Sequence, residues 1–128
     1  MPHHLAQINL AYARAPLDSP VMRDFVEALA AMNALAEGSP GFVWRFTKPA
    51  GDPSLLADFP DPRMLVNMSV WTDIKGLKDY AYRSMHGRFF ARRAEWFEPM
   101  TTPHLALWWI PAGTTPTLED AKRRLALV

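Results

Sequence analysis

Met64–Met85 reads MLVNMSVWTDIKGLKDYAYRSM. Its first eight residues alternate. Met64, Val66, Met68 and Val70 make one wholly apolar face, and Leu65, Asn67, Ser69 and Trp71 make a mixed one. A period of two is the mark of a strand, so Met64–Trp71 is expected to be extended. Thr72 or Asp73 then offers a side-chain oxygen to open a helix, which continues through Ile74, Leu77, Tyr80 and Ala81 at three- and four-residue steps. A strand passing straight into a helix is half of a layered α+β unit. The rest of the chain is read for the other half.

Upstream, Leu5–Ala13 alternates in the same way. Ala6, Ile8, Leu10 and Tyr12 lie on one side, and Leu5, Gln7, Asn9 and Ala11 on the other. Ser19-Pro20 predicts a helix start, and Val21, Phe25, Leu29, Met32 and Leu35 or Ala36 form its apolar stripe as far as Gly38. Gly41–Phe46 is a second strand, with Phe42, Trp44 and Phe46 expected on one face. Thr47–Arg63, rich in Pro, Asp and Gly, reads as a long loop, either a lid or an excursion at a hairpin end.

Downstream, Asp79–Glu98 is DYAYRSMHGRFFARRAEWFE. On a helix Tyr82, His86, Phe89, Phe90, Arg93 and Phe97 share one side, with Gly87 as the expected bend. His104–Ile110 alternates as a fourth strand, and Thr117 caps a tail helix whose Glu119 and Asp120 precede Lys122, Arg123 and Arg124, as the helix dipole favours. The order β-α-β-β-α-β is the ferredoxin-like pattern: a four-stranded antiparallel sheet, helices on one face, and an extra C-terminal helix in one domain over residues 1–128. The apolar strand faces are expected beneath the helices. The mixed face is expected to meet a second subunit, sheet to sheet.

Composition narrows the function. At 128 residues and 49% hydrophobic content, one domain with a real core is expected. A net charge of +1 gives no electrostatic ground for nucleic acid or an acidic membrane surface. With no cysteine there are no disulfides, thiolate nucleophiles or cysteine metal sites, which fits a cytoplasmic protein. The N-terminal stretch has no signal-peptide pattern, and no run is apolar enough for a membrane helix.

The stretch N-M-S-V-W-T-D-I-K-G-L-K-D-Y-A-Y (67–82), then R-S-M-H, resembles the dimeric α+β barrel superfamily, within it the antibiotic-biosynthesis-monooxygenase-like proteins. The block H-x-x-x-x-x-x-R-x-x-W-F followed by L-x-L-W-W-I-P-A-G-x-x-P-T is similar to a bacterial domain-of-unknown-function family in that superfamily, from Met64 to Leu127. The resemblance implies a homodimer with a small-molecule pocket in each subunit. Members include cofactor-free oxygenases, lactone isomerases and haem enzymes, so it does not choose a reaction.

In such oxygenases an Asn and a Trp spaced like Asn67 and Trp71 sit by the substrate. Here the amide is a candidate partner for an oxyanion and the indole a flat wall. His86 is the candidate base, with Tyr82, Arg83 and Arg93 as helical neighbours that position substrate. Phe90 and Trp108 are candidate substrate contacts, although core packing is the commoner role of such aromatics. Arg93 has an alternative role in an ion pair with Asp79, Glu95 or Glu98. The expectation is a cofactor-independent monooxygenase-like enzyme acting on an electron-rich aromatic or enolisable small molecule. No metal site is expected, although His4 and His104 are placed together if the first and last strands pair. The alternatives are a haem protein with His86 as axial ligand, and a non-enzymatic binding dimer.

Overall fold

The structure is a computed structural model that describes residues 2–49, 52–85 and 92–127. A five-stranded antiparallel sheet is built from β1 (His3–Ala13), β2 (Phe42–Arg45), β3 (Met64–Trp71), β4 (Phe97–Glu98) and β5 (Leu105–Pro111). The helices are α1 (Arg23–Glu37), α2 (Pro53–Leu56), α3 (Ile74–Met85), α4 (Arg93–Trp96) and α5 (Leu118–Leu125). β1 is central. β3 pairs with one side of it and β2 lies outside β3, while β5 and the short β4 share its other side. The fifth strand is an addition to the expected four. Phe97, expected on a helix, pairs instead with Ala13.

The two sheet faces carry helices in the opposite sense to the one expected. Ala6, Ile8, Leu10, Met68, Val70 and Trp108 form the apolar layer, and α5 covers it through Leu118, Ala121 and Leu125, with Phe59 and Met100 at the margin. α1 and α3 lie over the mixed face. There Tyr80 of α3 stacks on Trp71 at 5.3 Å, and Phe25 of α1 meets Phe97 edge-on at 4.9 Å. Helices therefore occupy both faces; α1 and α3 cover the β3 side of the mixed face, while Leu105, Leu107 and Trp109 of β5 on that face are about half exposed. The reason is visible in the polar groups of the covered side, which satisfy one another, so burial leaves few unmet hydrogen bonds.

Local chemistry explains most boundaries. Thr117 Oγ1 accepts from Asp120 N, and Asp120 Oδ2 accepts from Thr117 N, both at 3.0 Å, closing a capping box on α5. Asp73 Oδ1 accepts from Gly76 N at 2.8 Å at the start of α3. The turn into β2 needs Gly41, whose φ of +87° lies in the left-handed region. A register shift between Phe42 and Trp44 puts Phe42 against Trp71 in the helix layer, while Trp44 and Phe46 join the α5 layer. The single face expected for these three aromatics is thus divided. Val21 is 54% exposed, since Pro20–Met22 is a 3-10 turn that precedes α1 out of phase with its stripe.

The loop between β2 and β3 is anchored. Asp52 caps α2, Leu55 is buried, Lys122 reaches Asp58 at 3.6 Å, and Asp61 accepts a 2.7 Å bond from the Tyr12 hydroxyl. Among the described residues no helix is long and apolar enough to cross a membrane.

Candidate functional site

α1 does not lie flat on the sheet. Phe25 is buried, but Leu29, Met32 and Leu35 are only half-buried. Beneath the helix is a cavity of about 530 Å3. Its apolar wall includes Leu17, Phe25, Leu29, Met32, Leu65 and Phe97. Polar groups enter from the sheet as Asn9 and Asn67, from α1 as Asn33, and from the end of β2 as Arg45 and Lys48. Arg93 of α4 also lines the cavity, and among the described residues the lining holds three cationic side chains and no carboxylate. A mostly apolar hollow with a few convergent polar groups, in the range of roughly 300–1,000 Å3, is the form small-molecule sites take.

Asn67 is fixed from behind. Gln7 and Ser69 are buried polar residues on the same sheet face. Gln7 Nε2 donates to Asn67 Oδ1 at 2.7 Å and to Ser69 Oγ at 2.8 Å. Trp71 Nε1 donates to the same Ser69 Oγ at 2.8 Å. An indole N–H can only donate, so it sets the sense of the chain at that end. Asn67 itself is exposed to the cavity, and among the described residues its Nδ2 has no hydrogen-bond partner.

α4 is a single turn, and its neighbours hold it. Arg92 bonds Asp24 of α1 at 2.7 Å and both carboxylate oxygens of Glu95 at 3.1 and 3.2 Å. Its guanidinium lies 4.7 Å over the ring of Trp96, which is buried. The two carboxylates, Glu95 first, hold the Arg92 guanidinium firmly protonated, its pKa raised above the usual arginine value. Glu95 is also paired with Arg92, Glu98 with Arg63, and Asp79 with Lys75. Arg45 pairs with Glu37 at 2.9 Å while still facing the cavity.

Of the residues expected at a site, the structure brings Asn67 and Arg93 into one cavity. Trp71 shares the sheet face of Asn67 but is wholly buried beneath Tyr80 and Phe42, so it is a core residue and not an open wall. Tyr82 is 68% exposed; Tyr80 takes the inward position, two residues back and roughly 200° round the helix. Arg83 is turned toward Ser39 Oγ, at 3.5 Å, away from the cavity. Trp108 is buried under α5 on the opposite sheet face and lines a different hollow, of about 600 Å3, with Trp109 and Arg123. His86 and Phe90 lie outside the described residues. Antiparallel pairing of β1 with β5 sets His4 opposite Ile110 and His104 beside Leu10, so the two histidines stand at opposite ends of β1, about 20 Å apart. Among the described residues no group of His, Asp and Glu has the arrangement of a metal site.

The sequence reading passed over Gln7, Ser69, Arg45, Lys48 and Asn33. For Gln7 and Ser69 the signal was present: they recur with Asn9 and Asn67 at every second position of two strands, which places four polar side chains on one face.

The profile of a domain of unknown function (DUF3291) matches residues 4–128. No curated protein matches the chain. Among solved structures, it is similar to the NE2512 protein of unknown function from Nitrosomonas europaea, at 16% identity and a TM-score of 0.55, over 91% of this chain and 97% of that one. It is similar to PA3566 from Pseudomonas aeruginosa at 15% identity and a TM-score of 0.52, over 89% and 98%. SnoaB, a cofactor-independent oxygenase from Streptomyces nogalater, aligns at 20% identity and a TM-score of 0.45, over 88% and 95%. The first two likenesses are of fold alone, and the third is too loose to carry an argument.

Proposed function

The chain belongs to the DUF3291 family, a membership that assigns no reaction, and we propose from the cavity that it is a small-molecule enzyme of the cofactor-independent monooxygenase kind. The substrate class is an electron-rich, roughly planar aromatic or enolisable compound. The observation that carries this reading is Asn67: a carboxamide braced by Gln7 and opening into a mostly apolar hollow of about 530 Å3. An amide N–H in such a place stabilises a phenolate or enolate oxygen far better than it would in water.

Arg93 and Lys48 in the lining add positive potential for the anion. His86 is assigned as the base of this scheme. The substrate supplies the electrons. A phenol that loses its proton reduces dioxygen, one oxygen atom replaces the para hydrogen as the second carbonyl of a quinone, and the other leaves as water. Phenol plus dioxygen gives quinone plus water, with no outside reductant.

Oxygen uptake with 1-naphthol, together with 18O incorporation into 1,4-naphthoquinone, tests the reading. Asn67→Ala is expected to lower turnover by about a hundredfold. Naphthol that binds without any oxygen uptake, across related phenols, would sink the oxygenase assignment.

The proposal includes a homodimer. Leu105, Leu107 and Trp109 of edge strand β5 are 51%, 47% and 55% exposed, an apolar row of the sort a second copy covers. Sedimentation velocity at micromolar concentration is expected to give a dimer mass, and a monomer at all concentrations would remove this part.

A further inference from the structure

The cavity's polar chemistry depends on which way the Asn67 carboxamide is turned, and residues behind the wall settle that. Gln7 Nε2 lies within hydrogen-bond reach of two acceptors, Asn67 Oδ1 at 2.7 Å and Ser69 Oγ at 2.8 Å. An NH2 group has two hydrogens and here uses both. Turning the Gln7 amide over by itself would set its Oε1 against Asn67 Oδ1, two acceptors face to face, and lose that bond. Ser69 Oγ already accepts from Trp71 Nε1 at 2.8 Å, and Trp71 is pinned by Tyr80 and Phe42. Ser69 Oγ thus accepts from both Trp71 and Gln7, and the second hydrogen of the Gln7 NH2 goes to Asn67 Oδ1.

We propose that Gln7 is a positioning residue: by holding Asn67 Oδ1 it turns the Asn67 NH2 into the cavity, so the site takes its ligand by an acceptor oxygen, namely a carbonyl, phenolate or enolate. This rests on the reading that the cavity binds a planar small molecule. It adds that the ligand atom facing Asn67 accepts a hydrogen bond and does not donate one.

Two probes of nearly equal shape separate these ideas. 2-Acetylnaphthalene offers a carbonyl oxygen, and 2-isopropenylnaphthalene replaces that oxygen by a methylene. Affinity is read by quenching of tryptophan fluorescence and by calorimetry. The wild type is expected to prefer the acetyl compound by roughly three- to tenfold, the worth of one net hydrogen bond. Asn67→Ala should remove the preference. Gln7→Met keeps the volume but lacks the donor, and should bring the preference below about twofold. Gln7→Glu can only accept when ionised, so it draws the Asn67 NH2 toward itself and should abolish or reverse the preference even if Gln7→Met folds poorly. A cooperative urea transition and an unchanged circular dichroism spectrum are the check that each variant is folded.

Equal binding of both probes by the wild type refutes the acceptor rule while the cavity reading stands. A preference that survives both Gln7 substitutions refutes the positioning role. Failure of the wild type to bind either probe overturns the cavity reading and this inference together.

Discussion

A methyl group added at Gly76 tests the packing of α3, on which the position of Trp71 depends. Helix propensity alone says that Gly76→Ala should stabilise, by up to about 1 kcal/mol. The structure says the reverse. A Cβ built on Gly76 would lie 2.7 Å from the Pro40 carbonyl oxygen and 3.4 Å from Trp71 Cε3. The first distance is about 0.7 Å short of an ordinary contact, and the atom it meets is backbone, in the turn fixed by Gly41 at φ +87°. Overpacking of this kind costs roughly 1–3 kcal/mol, and a carbonyl that cannot rotate away puts the cost near the upper end. After the propensity gain, a net loss of about 1–2 kcal/mol is expected, which lowers Tm by about 4–8 °C in a domain of this size.

Gly38→Ala is the internal control. It caps α1 at φ −92°, and its Cβ would be 3.5 Å from the Ala34 oxygen, an ordinary contact. It should be neutral or stabilise by up to about 1 kcal/mol. Urea unfolding of both variants, compared at unchanged m-value, gives the two numbers. If Gly76→Ala matched or exceeded the parent while Gly38→Ala did not, α3 would not sit against Pro40 as described, and the seating of Trp71 beneath Tyr80 would lose its support.

Three further expectations follow from the same contacts. Trp71→Phe removes the donor to Ser69 and part of the stack on Tyr80, and should cost about 2 kcal/mol in urea unfolding; a loss within error would show that the buried network adds nothing to stability. Thr117→Ala opens the capping box and should cost about 1 kcal/mol. Because α5 covers the apolar sheet layer, amide exchange should quicken in α5 before it quickens in β1. Tyr12→Phe should destabilise in a pH-dependent way. The Tyr12 hydroxyl bond holds Asp61 below its ordinary 3.8, so that contribution is present above 3.8 and fades as pH falls through the lowered folded value. Asp61 in turn raises Tyr12 above its ordinary 10.0, so the contribution also fades as pH climbs through the raised value. The difference between wild type and variant should be flat from about pH 5 to 9 and shrink on either side. A difference that does not change with pH would mean the bond is absent.

Much of this architecture can be read from periodicity. Met64–Trp71 is a strand over the expected bounds, and Thr117 caps the tail helix as its spacing indicates. The layer above each face was not legible. Alternation shows that the two faces of a strand differ, but it does not say which helix covers which face. Gln7, Asn67 and Ser69 look like a solvent-facing or interfacial set until their mutual bonds are seen, and those bonds join residues some sixty positions apart. Asn67 and Arg93, expected at a site from residue type, both line the cavity. Trp71 was misplaced because a strand pattern gives the direction of a side chain but not whether another ring lies on top of it. Tyr82 lies within α3 but on its outer side, because the face that meets the sheet is the one through Leu77 and Tyr80.

The irregularity between Phe42 and Trp44 makes β2 a parity switch. With one additional residue, a strand of four delivers an aromatic to each layer and still turns Arg45 toward the ligand hollow, opposite Ser69. Pairing Val43 itself with Val70 would restore strict alternation at the cost of exchanging the two addresses, with Trp44 sent into the hollow and Arg45 into the oil beneath α5. The charge of the cavity wall and the composition of the far layer are therefore set by a single backbone count, and a variant that kept Val43 but ironed out the irregularity would alter both at once.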